Sequence, residues 1–143
     1  MIYSELTKKA ILLAYRAHEG QKDRSGLPYI LHPIHLAEQM TTEDSCVVAM
    51  LHDVLEDTDM TEEDLREEGF TERQIEAVKL LTRTEEEDYF EYVRRIREND
   101  LACAVKLADL AHNMDRTRLP EYSEKDEARF EKYQKAVQIL TEN

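Results

Sequence analysis

At 143 residues, with 41% hydrophobic and 36% charged residues, the chain has the composition of one soluble globular domain (1–143), long enough to bury a core without disulfides or a structural metal. Its formal net charge of −13 repels a phosphate backbone on average, which argues against any nucleic acid polymer as partner; a small anionic ligand stays open where a site is locally basic or holds a cation. No apolar run approaches membrane-spanning length, and a first helix carrying Glu5, Lys8 and Lys9 is no secretory signal, so the chain is expected to be cytoplasmic with no membrane partner.

Only three glycines and three prolines punctuate the sequence, which predicts long helices and short loops. Leu6, Ala10, Leu13, Ala14 and Ala17 repeat at three- and four-residue spacing and predict an amphipathic helix over 2–19. A polar loop follows, with Ser25-Gly26 and Pro28 as turn signals. A helix is expected to open near His32-Pro33, because proline is accepted in a first turn, and to run to about Met40. Residues 43–57 form the most apolar predicted helix, from Cys46 through Leu55. Thr61 with Asp64, Thr71 with Gln74, and Ser123 with Asp126 have capping-box spacing and predict helices near 61–68, 71–83 and 123–141. Two more are expected over 86–98 and 100–118. No segment sustains β alternation, so the predicted class is all-α. Cys46 and Cys103 lie in apolar helical stretches and read as core packing.

Polar residues stand where a core is expected. His52 and Asp53 interrupt the apolar 43–57 run, with Glu56 and Asp57 four positions further on. On that helix, positions four apart share a face, so they form one polar ribbon on an otherwise buried rod. An unpaired buried carboxylate is costly, so such a group needs a partner. The anomaly recurs over 101–114, where Lys106, Asp109 and Asn113 share a face, and His32 supplies a third polar point. Each has a plain structural reading: a lone buried histidine is usually a hydrogen-bonded core residue, and Asp109 has Lys106 as an i,i+3 partner. Together, two histidines and two aspartates from separate helices can converge on one divalent cation, and mixed imidazole and carboxylate ligands suit Mn, Fe or Zn better than Ca. Lys22, Arg24, Lys106, Arg116 and Arg118 are the cations available to hold phosphate groups.

The order His32, His52-Asp53, Asp109 in an all-helical chain resembles the HD-domain phosphohydrolase superfamily. Four longer strings narrow the resemblance to the hydrolase domain of RelA/SpoT homologues: Ala17-His-Glu-Gly-Gln21, Pro28-Tyr-Ile-Leu-His-Pro33, His52-Asp-Val-Leu-Glu-Asp-Thr58 and Lys106-Leu-Ala-Asp-Leu-Ala-His-Asn-Met114. They cover nearly the whole chain and leave no room for a synthetase domain, so a stand-alone alarmone hydrolase is expected. The resemblance implies a compact bundle of about seven or eight helices. It also implies one Mn²⁺ held by His32, His52, Asp53 and Asp109, and an attacking water positioned and deprotonated by Glu56 and Asp57. Arg24, Ser25, Lys106, Asn113 and Arg116 would meet a small anionic nucleotide, and the implied reaction removes the 3′-pyrophosphate from guanosine tetra- or pentaphosphate. An HD-type nucleotidase acting on another nucleotide, or a nucleotide-binding sensor, are the alternatives.

The match is not uniform. Counted from Gly20-Gln21, Asp23 stands where the family has the arginine that packs on guanine, with Arg24 one position later. After Asn113-Met114, Asp115-Arg116 again displaces the expected arginine by one. The expectation is therefore an intact reacting end with weaker discrimination among bases. His18 is read as part of the first helix's packing edge, His35 as solvent-exposed with no catalytic role and His112 as structural, with Tyr89 and Tyr92 as packing residues.

Overall fold

The computed structural model describes residues 1–142. Among them the chain is all-helical, with eight helices of six residues or more: α1 (Glu5–Ala17), α2 (Leu31–Glu38), α3 (Glu43–Leu51), α5 (Glu62–Glu67), α6 (Glu72–Leu81), α7 (Tyr89–Arg97), α8 (Asp100–Asn113) and α9 (Glu124–Thr141). A single turn, α4 (Val54–Asp57), and a 3₁₀ turn over Arg116–Arg118 complete it. The only strand-like feature among these residues is one bridge, Lys22 to Pro28, which closes the 23–27 loop. No helix in the described chain is long and apolar enough to cross a membrane.

Helix α3 is the axis of the molecule. Every residue from Ser45 to Leu51 is buried, and α1, α2, α6 and α8 pack around it. A helix apolar on all sides needs such a jacket, and this one has no polar face to offer water. Helices α7 and α9 pack on each other and on α8, extending one continuous apolar core.

The three expected capping boxes are formed, at Thr61/Asp64, Thr71/Gln74 and Ser123/Asp126. Two more, Ser4/Thr7 and Thr42/Ser45, use a hydroxyl at the third position in place of a carboxylate or amide. Several boundaries differ from expectation. The 86–98 helix starts only at Tyr89, because the Asp88 carboxylate accepts the amides of Phe90 and Glu91 and caps it there. The 100–118 helix ends at Asn113, and the Asp115 side chain accepts from Thr117 N to start the separate 3₁₀ turn.

The difference with most consequence is at 43–57, which is not one helix. It breaks at His52-Asp53, where Asp53 adopts φ −107° and ψ 0°. His52 Nδ1 donates 2.7 Å to the Ala49 carbonyl, an i−3 bond that competes with the helical ladder. The break turns His52 into the interior and leaves Asp53, Glu56 and Asp57 at the rim.

Candidate metal centre and active site

Three helices deliver three buried ligand groups to one point. His32 comes from the first turn of α2, His52 from the end of α3, and Asp109 from the middle of α8; they are 3%, 3% and 6% exposed. His32 Nε2 lies 2.8 Å from Asp109 Oδ1, and His52 Nε2 lies 3.6 Å from the same oxygen. One ligand atom from each residue falls within 4.8 Å of the other two.

The histidines are oriented from behind. His52 spends its Nδ1 proton on the Ala49 carbonyl, so Nε2 presents a lone pair; that nitrogen is buried and makes no hydrogen bond of acceptable geometry. His32 Nδ1 lies 2.7 Å from His112 Nδ1, and one proton sits between them. With that proton on His32, its Nε2 also presents a lone pair towards Asp109, which is the arrangement a cation between them requires. His112 suits the accepting role: burial and the charge of Arg118 push its pKa down to about 4, so it is neutral at pH 7. Burial by itself would raise the Asp109 carboxyl. The ammonium of Lys106, 2.9 Å from Oδ2, instead holds it well below the usual range, with the imidazoles of His32 and His52 beside it. Asn113 Nδ2 adds a bond of 3.1 Å to Oδ1. A permanently ionised carboxylate facing two imidazole lone pairs, one an orphaned buried nitrogen, fits a divalent cation by donor type. The buried His/His/Asp group thus suggests a metal site.

Asp53 stands beside this group. Its Oδ2 is 2.9 Å from His52 Nε2 and accepts the Tyr29 hydroxyl proton. It also forms a cluster within 4.8 Å with Glu56 and Asp57, both exposed at the cavity mouth. Lost hydration on the cavity side raises the Glu56 carboxyl; a 2.8 Å bond from Arg83 N opposes this and the charge of Asp53 adds to it. Lost hydration and then Asp53 raise Asp57 in the same way.

These groups line a cavity of about 260 Å³ together with Tyr29, Tyr92, Lys106, Asn113 and Arg118. A second cavity of about 290 Å³ adjoins it through Tyr29, Asn113 and Arg118, and adds Lys22, Arg24, Arg129, Phe130 and Tyr133. Of the residues expected to meet a nucleotide, Lys106 and Asn113 line the first. Arg24 lines the second, with its guanidinium held 2.6 Å from the buried Asp126 carboxylate. Ser25 lines neither: its hydroxyl donates to the Arg118 carbonyl. Arg116 lies elsewhere, 3.8 Å over the Tyr122 ring and in a separate cavity. The arginine that reaches the site from this segment is Arg118. Asp23 also lines the second cavity, and its Oδ1 accepts the amides of Ser25 and Leu27 and staples the loop.

Two residues at the site carry more than their sequence reading. Tyr29 binds Asp53 and sets its ring, tilted, 5.6 Å from that of His32, and the spacing of three between them was the available signal. His112, read as structural, braces His32; its position one turn beyond Asp109 was the clue. His35 is exposed and stacks on His112 at 3.9 Å, and Tyr92 donates its hydroxyl proton to the Leu81 carbonyl.

No protein-family model matches the chain. Among characterised proteins it is 39% identical over 117 residues to the guanosine-3′,5′-bis(diphosphate) 3′-pyrophosphohydrolase of Haemophilus influenzae, covering 72% of this chain and 17% of that protein. It is 34% identical over 143 aligned positions to a GTP pyrophosphokinase of Myxococcus xanthus, covering 88% of this chain and 19% of the relative. To the bifunctional (p)ppGpp synthase/hydrolase SpoT of Escherichia coli K12 it is 33% identical over 122 residues, covering 75% and 17%. The chain thus spans less than a fifth of the length of these curated relatives. In three dimensions it matches a solved metazoan ortholog of SpoT, described as hydrolysing ppGpp, with a TM-score of 0.79 and 23% identity over 99% of this chain and 89% of that one. The fold is therefore that of an HD-domain hydrolase, and the chain is homologous to the hydrolase region of RelA/SpoT proteins.

Proposed function

We propose that this chain, acting as one unit over 1–143, is a metal-dependent 3′-pyrophosphohydrolase of guanosine tetraphosphate. The observation that carries the reading is the buried convergence of His32, His52 and Asp109 with Glu56 and Asp57 at its mouth. Homology to pyrophosphohydrolases supplies the substrate class. In this reading Asp53 is the fourth ligand and Mn²⁺ the ion. Such an ion lowers the pKa of a bound water toward neutrality and offsets charge on a phosphoryl oxygen.

The chain's own residues do the rest. Glu56 or Asp57 accepts the proton of the attacking water, and a carboxyl pKa raised towards neutrality suits a general base. Lys106 stays protonated beside Asp109 and balances charge as the phosphates enter. Asn113 and Arg118, shared by both cavities, would meet the 3′-phosphate where it joins the ribose. Water's oxygen bonds to the phosphorus at the 3′ position. The P–O bond to the nucleoside breaks, and GDP and pyrophosphate leave. In the second cavity Asp23, an anion, supplies no cation to stack on a base, and the Arg24 guanidinium is drawn to Asp126, so discrimination among bases is weak. Guanine and adenine 3′-pyrophosphates are then cleaved at similar rates. A panel of 3′-pyrophosphorylated nucleotides, 5′-monophosphates and deoxynucleoside triphosphates tests this; cleavage confined to the last two classes refutes it.

A further inference from the structure

Two polar residues at and just past the C-cap of α1, His18 and Gln21, are tied into one hydrogen-bonded line. His18, the C-cap, is 2% exposed, and its Nε2 is buried with no hydrogen-bond partner. An apolar residue would avoid that orphaned nitrogen, which costs about 1–3 kcal/mol. The other ring nitrogen, Nδ1, lies 2.8 Å from Gln21 Oε1. At the far end of the same amide, Gln21 Nε2 donates 3.0 Å to the main-chain carbonyl of Asp57, 36 residues away. A carbonyl only accepts, so the amide nitrogen must face Asp57 and the amide oxygen must face His18, which puts the ring proton on Nδ1. The whole line therefore has one direction: His18 donates to Gln21, and Gln21 donates to Asp57.

That last bond falls where the backbone is weakest. Helix α4 is one turn long, and a single turn is too short to hold its own hydrogen bonds. Its final carbonyls have no partner within the helix, so Asp57 is fixed from outside. Thr58 Oγ1 donates to the Val54 carbonyl, and Gln21 covers Asp57 itself. The turn that brings Gln21 round passes through Gly20 at φ +83°, a conformation glycine adopts without strain. Tyr29, whose amide donates to the Gln21 carbonyl and whose ring sits 5.0 Å from that of His18, holds Asp53 by its hydroxyl. One loop thus grips both acids from behind.

We infer that His18 and Gln21 are positioning residues that hold Asp57 for proton transfer, acting through its backbone. This rests on the reading of Asp57 as a water-handling acid. The test measures Mn²⁺-dependent cleavage of guanosine tetraphosphate, Mn²⁺ content and melting temperature in five single variants and one double. Gln21→Glu keeps the shape but cannot donate, and His18→Phe fills the volume without a donor. Each should lower kcat by about tenfold to a hundredfold, with KM within about twofold and metal content unchanged. His18→Asn, whose amide nitrogen overlays Nδ1, should restore most of the turnover that His18→Phe loses. Adding Gln21→Glu to Asp57→Asn should cost nothing further, because the two act on one step. The inference is overturned if Gln21→Glu and His18→Phe turn over normally while Asp57→Asn is inactive. It is also overturned if their losses track melting temperature or metal content, or add to that of Asp57→Asn. If Asp57→Asn is itself fully active while Glu56→Gln is not, the role given to Asp57 falls, and the inference falls with it.

Discussion

Asp109 is approached by four side chains, three of them cations or potential cations, and that sets how it can be tested. Removing it as Ala would strand the Lys106 ammonium in a site where its side chain is only 12% exposed, at a cost of about 3–5 kcal/mol for a broken buried pair. Asp109→Asn is the cleaner change: metal content of the purified protein should fall to near zero while the helical circular dichroism stays the same. Undiminished metal would remove Asp109 from the ligand set. Glu56→Gln and Asp57→Asn should behave oppositely, keeping the metal and losing about a hundredfold in turnover where the residue is the base. Both carboxyls are shifted upward, so protonation disables them above the ordinary acid range of about 4. The acid limb of kcat should accordingly fall as pH drops through this raised value, and the variant lacking the base should lose that limb. A limb unchanged in both variants would assign it to another group.

At the level of elements, loop 23–27 and helix α9 are joined by the Arg24–Asp126 pair, with Ser123 N and Arg129 on the same carboxylate. The Arg24 bond and that from Ser123 hold the buried Asp126 carboxyl well below its usual range. A depressed carboxyl adds stability above its unfolded value, near about 3.9, and loses it as pH falls further. Asp126→Asn should therefore lower the melting temperature at pH 7 and narrow the gap to wild type at pH 3; a gap that widens in acid would contradict the pairing. Thr42→Ala, which removes the cap of the central helix α3, should cost about 1 kcal/mol in urea unfolding. Most of this level was legible in sequence, because apolar periodicity and Ser/Thr caps act locally. The break at His52-Asp53 was not. It depends on a side-chain bond from His52 to Ala49 that competes with the helical ladder, and on the groups His52 meets in the interior, Asp109 among them, which lie outside the 43–57 segment.

Across the whole molecule, the site exists only because α2, α3 and α8 meet, bringing residues 77 positions apart within 2.8 Å. His32, His52 and Asp109 stood out in the sequence because polar groups in apolar helices demand partners. The places of Arg24, Ser25 and Arg116 were illegible for the opposite reason. They sit in loops and turns whose courses are set by long-range bonds, such as Ser25 to the Arg118 carbonyl and Arg24 to Asp126. The acidic chain, at −13, still brings Lys22, Arg24, Arg118 and Arg129 to the cavity beside the buried His/His/Asp group, where they outnumber Asp23 and Asp115, a charge distribution suited to a small polyanion. The most direct measurement is chromatographic analysis of guanosine tetraphosphate incubated with the purified protein and Mn²⁺. The account predicts GDP and pyrophosphate in equal amounts, with no reaction in EDTA or with Asp109→Asn. Intact substrate, or release of orthophosphate from the 5′ end instead, would contradict it.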